Sequence, residues 1–435
     1  MDLLKDLLIR DLSEEDKGKE VTLRAWIHQI RPLGRLVFII LRDCSGMIQA
    51  VVKGNPELLD FAKKLNLEDV VEIKGTIIPS KSKIAPIEVQ VKSIKILNRS
   101  SPLPLDISGK VPAELGTRLR YRIVDLKRPE NLAIFRIQAE LMDSFRRFLR
   151  NRGFIEVSTP KIVAMSTEGG AELFEVKYFE YKTYLAQSPQ IYKQLLVIAG
   201  FERVYEVGHA YRAEKHNTIR HLNEYISLDV EMGFIDDEND LINLEEELVK
   251  YMLGSVAENC SHELKLLNVD VPTVDRIPKF TFPEVIEILT EYYNMPEYRD
   301  QTDLDPRGEE LICRYARENY DCEFAFVDLF PLEGRPFYTM PYDSKLGRSF
   351  DLLFRGLEVS TGGQRIHKYD LLVKRIKEKG LNPESFKYYL EAFKYGAPPH
   401  GGFAIGAERF TMKLLNLKNI REASLFPRDR YRVVP

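Results

Sequence analysis

Five short runs between Glu20 and Leu97 constrain the amino-terminal fold most. EVTLRAWIHQI, LVFIILRD, GMIQAVV, VVEIKGTII and IEVQVKSIKIL read as strands separated by turns that carry Gly or Pro. In the first, Val21, Leu23, Ala25 and Ile27 alternate with polar or amphipathic partners. One helical piece, PELLDFAKKL, interrupts the series between the third run and the fourth. Five strands with a helix at that place is the order expected of a small OB-type barrel, whose open face takes single-stranded nucleic acid, although many small β domains also have five strands. Charge points the same way. Residues 1–105 hold 17 basic against 14 acidic side chains while the whole chain carries a net −3, so the polyanion-facing part is expected at the amino terminus.

Between Asn98 and Pro129 the pattern gives way to NRSSPLPLDISGKVPAEL, rich in Pro and Ser and without periodicity, which reads as a linker. The 435 residues leave ample length for two or three domains. We expect an OB-type domain over residues 1–105, a hinge over 106–130 and a larger domain over 131–435. The larger domain opens on a long amphipathic helix, residues 131–152, with Ile134, Leu141, Phe145, Phe148 and Leu149 on one stripe. Strand-like runs such as RVYEVGHAYRAE, YISLDVEMGF and SFDLLFRGLEVS then mix with helical ones such as LINLEEELVKYMLG and ERFTMKLLNL. Mixed order without βαβ repetition predicts an α+β fold on an antiparallel sheet flanked by helices. Cys44, Cys260, Cys313 and Cys322 lack the two-residue spacing of zinc ribbons and redox motifs. The acidic start MDLLKDLLIRDLSEED lacks a secretion signal's basic head, and no apolar stretch approaches 18 residues. A cytoplasmic protein with no membrane partner is expected.

No GxxxxGK[ST] loop occurs, so a triphosphate would have to be held by side chains. Three segments can do that. In RVYEVGHAYRAEKHNTIRHLNEYISLDVEM, Arg212, Glu214, Arg220 and His221 crowd a hairpin between two strands; a guanidinium suits bidentate contact with phosphate, and Tyr225 can stack on a purine. In RSFDLLFRGLEVSTGGQRIH, Asp351 and Glu358 can meet around a metal if the chain bends at Gly356, and Arg365 lies beyond a flexible TGG. Magnesium bound to phosphates needs one or two carboxylates, which this pair supplies. In PPHGGFAIGAERF, a Gly-rich turn precedes a helix opened by Glu408 and Arg409, placing Arg409 to close on a nucleotide from the side opposite the hairpin.

In order along the chain, STP with Pro160, YRAE with Arg212 and GAER with Arg409 resemble the three signature motifs of class II aminoacyl-tRNA synthetases. TEGGAELF, QSPQIYKQ, RHLNEY, GGQRIH and FPRDR narrow the resemblance to the archaeal-type aspartyl-tRNA synthetases, and it runs from the first strand to the final FPRDR. The resemblance implies an ATP site of Arg212, Glu214, Arg220, His221, Leu222, Tyr225, Glu358, Gly406, Glu408 and Arg409, with Arg212 and Arg409 as the catalytic pair. It implies Mg2+ on Asp351, Glu358 and Thr361. For L-aspartate it implies Glu168, Ser188, Gln190, Lys193, Arg212, Asp229, Thr361 and Arg365. Lys193 and Arg365 would offer two cations to the side-chain carboxylate, and an asparaginyl enzyme of the subclass is expected to lack that Lys. Thr361 departs from the Ser often found there.

In the amino-terminal barrel, Phe38 resembles the aromatic that stacks on the middle anticodon base, and Gln49 and Glu88 resemble base-edge readers. His28 and Pro86 occupy positions where enzymes that charge both tRNA(Asp) and tRNA(Asn) tend to carry His and Pro. The resemblance thus implies a non-discriminating aspartyl enzyme. It also implies a homodimer formed near Pro160, and no DNA partner. A strictly aspartyl enzyme, an asparaginyl enzyme and a non-catalytic RNA-binding body are the alternatives; the last would be expected to lose Arg212, Arg409, Asp351 or Glu358, all of which stand. His209, His262 and His400 have no metal-ligand spacing.

Overall fold

The alternation along EVTLRAWIHQI assigns Leu23, Ala25 and Ile27 to one face. In the computed structural model, which describes residues 7–82, 84–164 and 173–435, all three are buried. They belong to β1 (Glu20–Leu33). With β2 (Leu36–Arg42), β3 (Met47–Lys53), β4 (Val70–Pro79) and β5 (Ile87–Asn98) it closes a barrel in the order β1-β2-β3-β5-β4. The interior is filled by alternate residues of every strand, Val37, Ile39 and Leu41 of β2 among them. Between β3 and β4 runs the helix Pro56–Lys63; Asn55 caps it by accepting the Leu58 N–H at 3.1 Å, and Pro56 sits where no amide is needed. Gly75 lets β4 and β5 close: a Cβ there would lie 2.5 Å from the Gln90 carbonyl oxygen.

This barrel belongs to a compact unit, Met1–Arg128, and the rest of the chain forms a second, Pro129–Pro435. Residues 106–130, expected as a linker, hold two short helices, Leu115–Arg120 and Arg122–Asp125. The buried Asp125 carboxylate is held by Arg122 at 2.8 Å and Arg118 at 2.9 Å. Helices of six and four residues are too short to show a period.

The second unit is built on a sheet of eight strands among the described residues. Its members are β6 (Ile155–Glu156), β10 (Arg203–Tyr211), β11 (Glu224–Gly233), β12 (Lys279–Thr281), β13 (Phe324–Asp328), β14 (Ser349–Phe354), β15 (Glu358–Arg365) and β16 (His400–Gly406). A smaller sheet joins β7 (Ile162–Val163), β8 (Glu175–Tyr178) and β9 (Tyr181–Leu185). The large sheet runs β12-β13-β14-β15-β16-β11-β10-β6 and is antiparallel except at its two outer pairs. One face is apolar: Leu228, Val230, Phe326, Phe350, Phe403 and Ile405 pack on the helices Pro129–Arg150, Glu238–Asn259 and Ala407–Leu414. The predicted stripe of the first of these, Ile134, Leu141, Phe145, Phe148 and Leu149, is buried in that core. The PHGGFAIG segment, expected as a turn, is instead strand β16. Its glycines suit a tightly hemmed strand, since a Cβ on Gly401 would lie 2.7 Å from the Gly363 carbonyl oxygen and one on Gly402 would overlap the Val230 carbonyl. Among the described residues no helix is long and apolar enough to cross a membrane.

Candidate functional site

The opposite face of the same sheet carries the polar residues singled out in the sequence, and the pleat explains why. On β11, Ile226, Leu228 and Val230 point to the core, so Ser227, Asp229 and Glu231 point away from it. Strand register then draws distant residues into one row, Glu206–Asp229–Ala404–Thr361–Asp351, across five strands. TGG, expected to be a flexible break, is part of β15, so Arg365 is strand-borne and rigid.

At one end of this face lies a cleft of about 620 Å3, its open mouth included, between the loop 212–223 and the start of the helix Ala407–Leu414. All ten residues expected at a nucleotide line it: Arg212, Glu214, Arg220, His221, Leu222 and Tyr225 from the hairpin side, Glu358 from β15, and Gly406, Glu408 and Arg409 opposite. Thr361 lines it too. The guanidinium of Arg212 lies 5.8 Å from the Tyr225 ring centroid and 3.7 Å from the Glu214 carboxylate. Asn223 fixes this loop by donating to the carbonyls of Arg212 at 2.7 Å and Glu214 at 3.0 Å. Arg409 donates to the Glu358 carbonyl at 3.1 Å and lies 3.4 Å from its carboxylate. Burial, then the charges of Arg409 and Arg220, push His221 down to about 4. At neutral pH it is therefore an uncharged ring, held by Thr218 at 2.6 Å. Glu408 accepts the Ile226 N–H with both oxygens, at 3.1 and 3.0 Å, which ties the helix to β11; burial nevertheless pushes its carboxyl up to about 8.

Asp351 stands opposite Thr361 and is gripped by both nitrogens of Arg335, at 3.1 and 2.8 Å. Burial raises it to about 6 against that cation, and the Glu358 charge adds to the rise. Of the two expected carboxylates Glu358 lines the cleft, whereas Asp351 is buried beside its register partner Thr361, which does line it. Arg335 was not foreseen, because nothing local in its stretch of sequence marks it.

Further along the row lies a buried charge cluster. Lys193, 1% exposed, donates to Asp229 at 2.8 Å and stands 3.6 Å from Glu231. Arg365 donates to Glu231 at 3.1 Å, to the Gln190 side chain at 3.1 Å and to the Gly402 carbonyl at 2.9 Å. The expected pair of cations is therefore present, but each already has an acidic partner. Glu231 was missed, although it follows Asp229 by two on the same strand, a period-two signal that could have found it. Ser188 precedes the helix Gln190–Leu196 and accepts the Gln190 N–H at 3.4 Å. Beneath Arg365, its register partner His400 is fully buried, with Nδ1 2.8 Å from the Pro398 carbonyl oxygen, which only a protonated Nδ1 can satisfy. Glu168 lies outside the described residues.

On the barrel, Phe38 alternates with the buried Val37 and Ile39 and so faces outward, half-buried. Gln49 and Glu88 are paired in register and hydrogen-bonded to each other, and Ser80 donates to Glu88 at 2.9 Å. His28 sits at an irregularity of β1, and Pro86 is exposed just before β5.

Residues 114–430 match the family model described as tRNA synthetases class II (D, K and N), and residues 21–97 the one described as OB-fold nucleic acid binding domain. The aspartate-tRNA(Asp) ligase of Pyrococcus furiosus is 45% identical over 100% of both chains. The aspartate-tRNA(Asp/Asn) ligase of Archaeoglobus fulgidus is 46% identical over 98% of this chain and 99% of that one. Asparaginyl-tRNA synthetase from Pyrococcus horikoshii, solved with asparaginyl-adenylate, aligns over 100% of both chains with a TM-score of 0.93 at 32% identity.

Proposed function

Because this chain belongs to the class II tRNA synthetases, and among them to the archaeal-type aspartyl enzymes, we propose that it joins L-aspartate to both tRNA(Asp) and tRNA(Asn) through an aspartyl-adenylate. The fold alone does not choose the amino acid, since an asparaginyl enzyme shares it. The buried Lys193 and Arg365 carry the choice. Both cations are already paired with Asp229 and Glu231, so a substrate carboxylate would accept from the N–H groups they have left, which bind a charged acceptor more strongly than a neutral amide.

In this reading an aspartate α-carboxylate oxygen attacks the α-phosphorus of ATP and the bond to pyrophosphate breaks. The terminal ribose hydroxyl of the tRNA then attacks the activated carbonyl and AMP leaves. No general base is needed for the first step, because the attacking carboxylate is already ionised at neutral pH. Rate comes from placement and charge: Arg212 holds the α-phosphate against the substrate carboxylate, Tyr225 and Arg409 sandwich the adenine, and Glu214 accepts from its amino group. Asp351 and Glu358, with Thr361, would hold magnesium, and an ion there would neutralise phosphate charge. The fit rests on donor chemistry, two carboxylates and a hydroxyl brought to one edge of the sheet, although Arg335 already occupies both Asp351 oxygens, so an ion there would share that carboxylate with it. No group of three or more His, Cys, Asp or Glu able to hold a metal occurs among the described residues, so such an ion would take its other ligands from phosphate and water.

Exposed Ile155 and Ile162 on either side of Pro160 support a homodimer there, and the buried free thiols of Cys260, Cys313 and Cys322 suit a reducing cytoplasm. The relaxed tRNA choice is supported by Pro86, exposed and without a polar group, beside the Gln49–Glu88 pair. Aspartylation of the two purified tRNAs side by side tests it. Both are expected to be charged, and Pro86→Lys is expected to lose tRNA(Asn) by about tenfold, the worth of one base contact, with tRNA(Asp) retained. A wild-type chain that leaves tRNA(Asn) uncharged overturns the relaxed choice; one that shows no aspartate-dependent pyrophosphate exchange overturns the whole reading.

A further inference from the structure

Glu309 belongs to none of the segments that carry the family resemblance. It sits in the helix Pro306–Tyr320 and is 4% exposed. Its carboxylate receives Arg220 Nη2 at 2.6 and 2.8 Å, and its Oε2 also accepts the backbone N–H of Glu358 at 3.1 Å. Glu358 is held from its other side by Arg409. One carboxylate that does not line the cleft therefore joins three groups that do: Arg220 on the loop 212–223, Glu358 at the start of β15 and, through it, Arg409 in the first turn of the helix Ala407–Leu414. Arg220 retains a donor for a ligand, since its Nε is buried and has no hydrogen-bond partner among the described residues.

We propose that Glu309 is a positioning residue for ATP: it fixes the Arg220 guanidinium and the height of the Glu358 strand so that the cleft is preset for the triphosphate. The inference rests on the nucleotide reading of the cleft. A long arginine on a loop would otherwise have to be ordered by the ligand, and a buried carboxylate that takes one of its terminal nitrogens with both oxygens orders it beforehand.

Two physical effects give opposite signs here, which makes the test sharp. By charge alone, Glu309→Gln removes an anion next to a polyanion site and should tighten ATP binding. By positioning, it loosens Arg220 and weakens it. We expect Glu309→Gln in the full chain to raise the KM for ATP in aspartate-dependent pyrophosphate exchange by about tenfold, with the KM for aspartate within about twofold. In an Arg220→Ala background the same change should add little, because the Arg220 arm is already gone and the Gln side-chain oxygen can still accept the Glu358 N–H. Tighter or unchanged ATP binding by calorimetry, both KM values rising together, or losses that multiply with Arg220→Ala overturn the proposal. If Glu309→Gln does not fold, Glu309→Asp reads the same contact, keeping the charge but drawing the carboxylate back from Arg220 by one methylene; a KM for ATP unchanged there also overturns it. A wild-type chain that binds no ATP overturns the reading of the cleft together with Glu309's role, whereas normal wild-type binding with an unaffected Glu309→Gln overturns the role of Glu309 alone.

Discussion

Arg212→Ala is expected to lower aspartate-dependent ATP–pyrophosphate exchange by about 10³-fold, the scale seen when one preorganised donor to a developing charge is removed. The loss should fall mainly on kcat, because the charge Arg212 meets is greatest when the aspartate oxygen and the departing pyrophosphate both press on the same phosphorus. It should not come from unfolding. The side chain is 35% exposed and its acidic neighbour Glu214 stands 3.7 Å away, a weak pair in water. The Arg212 backbone is secured independently of the side chain: its N–H donates to the Asn223 carbonyl at 2.9 Å, and the Asn223 amide donates to its carbonyl at 2.7 Å. Truncation therefore leaves the loop anchored, and the melting temperature should move by no more than a few degrees. A variant that melts normally yet keeps more than a tenth of the exchange rate would remove Arg212 from the chemistry.

What the chain discloses in advance depends on whether a signal is local. The barrel is legible because alternation along a strand is a local pattern, and Leu23, Ala25 and Ile27 carry it within five residues. The nucleotide-lining set is legible because its members travel in short segments, and register then brings them to one cleft. The pairings that hold those members are not. Glu309 and Arg220 are 89 positions apart, and Arg335 reaches Asp351 from an irregular stretch, so neither ion pair leaves a mark in any window. The HGG segment misleads for a related reason. Glycine signals a turn when read locally, but in β16 it answers to crowding by Gly363 and Val230, residues far away in the chain. Charge matching shows the same limit: Lys193, Arg365 and Asp229 are visible as groups for a ligand, while their pairing with one another and with Glu231 is settled only by the sheet.

Behind that site, Glu245 offers a stability effect with a definite pH signature. It lies on the helix Glu238–Asn259, facing the apolar side of the sheet, fully buried, and neither carboxyl oxygen has a hydrogen-bond partner among the described residues. Burial pushes its carboxyl up to about 8 from an ordinary 4.5; Ser360, close by without hydrogen-bond geometry, opposes this, and the Asp351 charge adds a smaller push upward. The folded chain therefore keeps a proton that the unfolded chain releases, and stability falls as pH climbs from about 4.5 to about 8. One proton kept over the roughly three pH units from 4.5 to about 7.5 corresponds to about 4 kcal/mol, a large share of what holds a protein of this kind folded. Glu245→Gln keeps the shape and removes the titration. Urea unfolding should find parent and variant nearly equal at pH 5 and the variant ahead by about 3–4 kcal/mol at pH 8, with the gap growing by about 1.4 kcal/mol per pH unit between. A gap that does not change with pH would mean that Glu245 is ionised in the folded chain, and the neighbour to look for would be a cation at Ser360 and Asp351, where β15 turns its other face to the cleft.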